Sequence, residues 1–139
     1  MKPLTTVLSL PVVNPEITLA FYRDGLGLET DGIDEGIVAF ELPNLSLFFI
    51  ESSEYANYLV HSGNFHAGQP IPGATVISCA FGSRDEINDI LRRAAWAGGT
   101  SYPPVVEEGS YMGYFSDPDG HVWELVSNST TAQTARSTS

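Results

Sequence analysis

A chain of 139 residues with a formal charge of −11 and only six Lys and Arg is long enough for one domain that buries about two-thirds of its unfolded surface, and its field repels a phosphate backbone. Nucleic acid is therefore not an expected partner, and no window approaches the roughly 20 apolar residues of a membrane span. Cys79 is the single cysteine, so no internal disulfide forms; a reducing, cytoplasmic setting is the expectation, with Cys79 a small buried hydrophobe.

Residues Leu4 to Val13 read as a β-branched strand. Ser9 and Pro11 interrupt its apolar run, and no small-residue cleavage site follows, which argues against a secretory signal. Asn14-Pro15 supplies an N-cap and a favoured first helical residue. Ile17, Ala20 and Phe21 then recur at helical spacing until Gly25 and Gly27 stop the helix. Strands are predicted near Glu29 to Gly32, over Gly36 to Leu42, and over Leu45 to Ile50, with Pro43-Asn44 turning the last two. This first module covers about residues 4–51.

Glu51 to Gly73 lacks periodicity and carries His61, His66, three glycines and two prolines. It reads as a connecting arm over about residues 52–73, with a helical turn around Glu54 to Val60; an arm this long is often functional. The second module, about 74–127, opens with a strand at Ala74 to Phe81. Ser83-Arg84-Asp85-Glu86 is a capping box. Ile87, Ile90, Leu91, Ala94 and Ala95 make one helical face, closed by Gly98-Gly99. Strands follow at Ser101 to Glu107, Tyr111 to Phe115 and His121 to Ser127, the last two joined by Asp117-Pro118-Asp119-Gly120. The Ser/Thr-rich tail, 128–139, is expected to be disordered.

The halves align with one another. Ile17 matches Ile87 and Phe21 matches Leu91 at an offset of 70, while Asn44-Leu45-Ser46-Leu47-Phe48 matches Gly120-His121-Val122-Trp123-Glu124 at an offset of 76. Such a repeat points to a duplicated βαβββ unit rather than a solenoid. The fold class is α+β: two tandem βαβββ modules in a single domain, 1–127, forming a curved mixed sheet around a central cleft, the natural place for a ligand.

The run from Ser110 to Leu125, with Phe115-Ser116-Asp117-Pro118-Asp119-Gly120-His121-Val122-Trp123-Glu124, resembles the final hairpin of the vicinal oxygen chelate superfamily, which includes glyoxalases, bleomycin-resistance proteins and extradiol dioxygenases. Leu10 to Leu28, with Phe21-Tyr22-Arg23-Asp24-Gly25-Leu26-Gly27-Leu28, resembles its first strand and helix. The resemblance implies the fold, a small-molecule ligand and a homodimer. In lyases, thiol transferases and dioxygenases of that family, four positions hold a divalent metal, and they fall here at Val7, Phe48, Val76 and Glu124. Three of these side chains have no lone pair to donate, so no metal and no other cofactor is expected. Were a metal held, Glu124 and Glu51 would be its ligands, the latter reached by a strand slip or bulge. His61 and His66 read more simply as surface residues of the arm.

With the metal positions apolar, Val7, Phe48, Val76, Glu124 and Tyr114 are the candidate ligand-binding residues, lining a dry wall suited to an aromatic or greasy molecule. Glu124 is the candidate catalytic residue, as general base or as acceptor for a ligand's cationic or hydroxyl group. A buried carboxylate without a partner costs several kcal/mol or takes up a proton, so something must answer it. Trp123 and His121 alternate with it and belong to packing; Asp117 and Asp119 belong to their turn. Three functions follow in order: a metal-independent protein that sequesters a small molecule, a metal-free isomerase or lyase using Glu124 as base with a Tyr assisting, and a metal-dependent lyase or dioxygenase.

Overall fold

The computed structural model describes residues 1–63 and 68–138; His66 of the arm lies outside them. The chain divides into two compact units, Met1–Pro70 and Ile71–Ser139. No helix among the described residues is long and apolar enough to cross a membrane.

The first unit runs β1 (Val7–Val12), α1 (Pro15–Leu19) continuing into a π-helical turn (Ala20–Gly25), β2 (Ile33–Asp34), β3 (Ile37–Leu42), β4 (Leu45–Glu51) and α2 (Ser52–Val60). Its sheet has the order β1-β4-β3-β2, with β1 parallel to β4 and the other pairs antiparallel. Asn14 caps α1 by accepting from the Glu16 N–H at 2.9 Å, with Pro15 at the first turn, as its type favours. The helical face differs from the predicted one. Ile17 is 52% exposed, whereas Thr18, Phe21, Tyr22 and Gly25 are buried. Thr18 tolerates burial because its hydroxyl donates back to the Asn14 carbonyl. The π turn then adds a residue per turn, shown by the Leu26 N–H donating to Phe21 O five residues back. Tyr22 is thereby carried onto the sheet, stacking on Phe49 with centroids 4.7 Å apart and tilting against Phe40 at 5.4 Å. Offset-stacked and tilted pairs of this kind add to simple area burial.

The second strand lies later than the predicted Glu29 to Gly32. The cause is an unrecognised turn. Glu35 and Gly36 both have positive φ, 50° and 80°, the geometry of a two-residue hairpin whose twist matches its strands, so pairing begins at Asp34↔Ile37 beside it. Glu108-Gly109 repeats the device in the second half, joining Glu107 to Ser110.

The second unit runs β5 (Val76–Ala80), α3 (Arg84–Trp96), β6 (Thr100–Ser101), β7 (Val105–Glu107), β8 (Ser110–Ser116), β9 (Val122–Ser127) and α4 (Ser129–Thr138). Its sheet has the order β5-β9-β8-β6, with β7 also on β8. The predicted strand Ser101 to Glu107 is split in two, because Pro103 and Pro104 have no N–H for the ladder. Ser83 caps α3 by accepting from the Glu86 N–H, and Ile87, Leu91 and Ala94 are its buried stripe. The buried residues of the two helices therefore align as Thr18 with Ile87, Tyr22 with Leu91 and Gly25 with Ala94, an offset of 69 (87 − 18, 91 − 22, 94 − 25) rather than 70.

Two further expectations are corrected. The arm begins with the nine-residue helix α2 rather than a single turn, because Glu51 acts as its N-cap. The tail is helical, not disordered: Asn128 Oδ1 accepts from the Thr131 N–H while Thr131 Oγ1 accepts from the Asn128 N–H. That reciprocal cap starts a helix whose Ala135 seats against Gly82, where any Cβ would come within 2.6 Å.

Candidate functional site

In each unit the helix that follows the first strand packs against one face of the sheet, α1 on β3 and β4, α3 on β6, β8 and β9. Directly opposed residues in a ladder share a face, so the register identifies both surfaces. In the second unit Ile77, Trp123, Leu125 and Phe115 are buried, with Phe115 and Trp123 stacked at 5.9 Å. Tyr111 belongs to this covered face; its hydroxyl donates to Asn88 Oδ1 of α3, and Arg84 lies 4.9 Å from its ring centre. The opposite face carries Val76, Ser78 and Ala80 of β5, Val122, Glu124 and Val126 of β9, and Met112, Tyr114 and Ser116 of β8.

The middle row of that face is polar. Ser78 opposes Glu124, and Glu124 opposes Tyr114. The Ser78 hydroxyl donates to Glu124 Oε1 at 3.0 Å, and the Tyr114 hydroxyl donates to Oε2 at 2.6 Å, the short distance of a charge-assisted O–H···O⁻ bond. The half-buried carboxylate is thus answered from both neighbouring strands. Donating that bond holds the Tyr114 hydroxyl above the ordinary phenol pKa, with partial burial and the negative charges of Glu124 and Glu107 adding to the effect. Each Glu124 oxygen accepts one of these hydrogen bonds and has further lone-pair capacity for a ligand donor.

Val76, Val122 and Ser116 make the row on one side of Glu124, while Ala80, Val126 and Met112 make the row on the other. Val76 is 56% exposed. Apolar side chains and Ser116 thus flank one carboxylate fixed by two hydroxyls.

In the first unit the corresponding row is Ser9, Phe48 and Ala39. Val7 lies one row along, opposite Ser46 and Glu41. Phe48 and Val7 are on the face away from the buried Leu10, Val12, Leu47 and Phe49. No carboxylate stands in the Phe48 row. Glu51 lies on the other parity, in unbroken register with Val12. Its carboxylate accepts from the Ser53 and Glu54 N–H groups and from the Ser53 hydroxyl, and these bonds hold it below the usual carboxylate range. No slip or bulge turns it toward Phe48.

Ser78 is the member of the polar row that sequence reasoning missed. Alternation alone could have found it, two residues beyond Val76 on the same face. Asp117 accepts from the Asp119 and His121 N–H groups at 2.9 Å each, bonds that shape the Asp-Pro-Asp-Gly turn. Cys79 points to the covered side with Ile77, and burial pushes its thiol pKa up, away from reactivity.

The donor set can be tested against a divalent metal. Val7, Phe48 and Val76 offer no lone pairs, and Glu124 is held by two hydroxyl donors within its own sheet. Among the described residues no group of three His, Cys, Asp or Glu side chains converges. These residues do not fit a metal centre that needs three or four protein donors.

A family profile described as the Glyoxalase/Bleomycin resistance protein/Dioxygenase superfamily matches residues 5–125. Among solved structures, a glyoxalase-related enzyme from Fulvimarina pelagi is 23% identical with a TM-score of 0.76, covering 91% of this chain and 89% of its own. A hypothetical protein from S. aureus gives 23%, 0.75, 91% and 94% in the same terms. A lactoylglutathione lyase from Agrobacterium tumefaciens gives 20%, 0.66, 91% and 95%. At these identities the likeness is one of fold. No curated protein sequence matches significantly.

Proposed function

This chain belongs to the Glyoxalase/Bleomycin resistance protein/Dioxygenase superfamily, and from that premise we propose that it binds and sequesters a small molecule without a metal, on the open face of its second sheet. The observation that carries this reading is the row Ser78–Glu124–Tyr114, a carboxylate fixed by two cross-strand hydrogen bonds amid valines, alanine and methionine. Binding sites combine such an apolar wall with a few placed polar groups that orient the ligand. Val7 and Phe48 give the first unit a similar wall, with Ser46 and Glu41 in the Val7 row, and the functional unit is a homodimer, as the family resemblance implies. The site lies in a cytoplasmic protein on the reading of its lone cysteine.

A second reading has one observation in its favour. Tyr114, whose hydroxyl is held protonated beside Glu124, pairs an acid with a base, the equipment of a metal-free isomerase or lyase. A structural neighbour from Agrobacterium tumefaciens carries the name lactoylglutathione lyase, which is said of that protein. Against it stands the fact that both Glu124 oxygens already accept hydrogen bonds, which suits an anchor better than a proton acceptor.

The test is a solution-NMR screen of the full chain against a library of small aromatic and aliphatic compounds. Amide shift changes are expected to cluster on Val76, Ser78, Tyr114, Val122, Glu124 and Val126. Hits that cluster elsewhere, or none at all, would remove the reading; turnover of a hit that is abolished in Glu124→Gln would replace sequestration by catalysis.

A further inference from the structure

The charge balance of this face restricts the kind of molecule that completes it. Glu124 presents a carboxylate, and both groups that answer it, the Ser78 and Tyr114 hydroxyls, are neutral donors. They supply hydrogen bonds but no countercharge. Among the described residues the ion pairs join Arg23 to Asp24 and Arg92 and Arg93 to Asp89; none reaches Glu124. Arg84 lies over Tyr111 on the covered side of the same sheet. The rows flanking Glu124 are Val76 with Val122 and Ser116, and Ala80 with Val126 and Met112, and neither row contains a cation. Glu107 adds negative charge close enough to act on Tyr114.

We propose that the ligand of this face is an organic cation, a protonated amine carried on an apolar body. The inference rests on the binding reading above and specifies its chemistry. An ammonium group presents up to three donors, enough to meet the lone-pair capacity that Ser78 and Tyr114 leave on the Glu124 oxygens. A hydrogen bond between two charged groups is roughly twice as strong as a neutral one. A hydroxyl ligand would fill one lone pair and leave the charge unanswered; a carboxylate ligand would be repelled. The hydrocarbon rows on either side give the apolar body its contact. The chain's net charge of −11 draws cations toward the whole surface at low salt, but the specificity is local to Glu124.

Three probes of one shape test this in the wild-type full-length chain: benzylammonium, benzyl alcohol and benzoate, each titrated at neutral pH and followed by amide shifts. Benzylammonium is expected to bind at least about tenfold more tightly than the alcohol, the equivalent of one added charge-assisted contact, with benzoate weakest. Shifts should centre on Ser78, Tyr114 and Glu124. In Glu124→Gln the preference for ammonium over alcohol should fall to about one, with shifts outside the face reporting that the variant is folded; the wild-type comparison stands without it. Equal binding of ammonium and alcohol at this face would overturn the ligand class and leave the binding reading intact. Failure of all three to perturb the face would overturn both.

Discussion

Glu124 shows how one residue's meaning depends on its cross-strand neighbours. Sequence alone places a carboxylate between Trp123 and Leu125, alternating with buried residues. What answers it is a matter of register, and the register supplies Ser78 from one side and Tyr114 from the other. The pairing has a measurable consequence for Tyr114. Its hydroxyl donates to the carboxylate and is held above the ordinary phenol pKa of about 10. Since the folded state then keeps its proton longer than the unfolded chain, this contribution to stability is fully present below about pH 10 and is lost as pH rises through the raised value. The folding free energy of the wild-type chain should therefore fall more steeply above that pH than that of Tyr114→Phe, in denaturant titrations run at a series of pH values. Tyrosine carbon resonances would report the same effect directly, with Glu124→Gln drawing the Tyr114 midpoint back toward the ordinary value. A midpoint that stays put in Glu124→Gln would show that the carboxylate is not the cause.

At the scale of elements, the two helices teach different lessons. α3 was legible: a capping box at Ser83 and a stripe of Ile87, Leu91 and Ala94 leave little choice of face. The first helix was misread by one position, because the π turn shifts the stripe and because a buried Thr18 does not look apolar. Glu51 departs from expectation for a related reason: a carboxylate at a strand end reads as a possible ligand, whereas its three bonds to Ser53 and Glu54 start α2. The seating of α3 on its sheet is close. A Cβ on Gly113 of β8 would come within 2.8 Å of Ile87 Cγ2 and 3.0 Å of Leu91 Cδ1. Both neighbours are branched core side chains with little room to yield, so Gly113→Ala should cost about 1–3 kcal/mol of stability as the helix is pushed outward. Chemical denaturation reads this directly. A cost near zero would mean that α3 sits less tightly on β8 than these contacts require.

For the whole molecule, the duplicated βαβββ pattern was visible before any coordinates, because its turns and caps are local signals: Asn14-Pro15, Ser83 with Glu86, Pro43-Asn44, Asp117-Pro118-Asp119-Gly120. The Glu35-Gly36 and Glu108-Gly109 turns were equally local and were overlooked, which displaced the second strand. The tail was judged on composition alone, which misses a reciprocal cap and an alanine fitted to Gly82. The apolar positions Val7, Phe48 and Val76 can be picked out by comparing the halves; alternation puts Ser78 on the same face as Val76, but its significance lies in what it touches. The remaining global property is charge. Seventeen Asp and Glu against six Lys and Arg give −11, and Arg23, Arg92 and Arg93 are already paired in exposed ion pairs that contribute little. Most carboxylates therefore repel one another within each compact unit, while the unfolded chain spreads them apart. Salt shortens the range of that repulsion, from about 30 Å at 0.01 M to about 8 Å at 0.15 M, and should stabilise the folded state more than screening of the few ion pairs weakens it. The thermal midpoint is expected to rise between those two NaCl concentrations at pH 7. A midpoint that falls instead would mean that local attractions, not the net field, govern the electrostatic part of its stability.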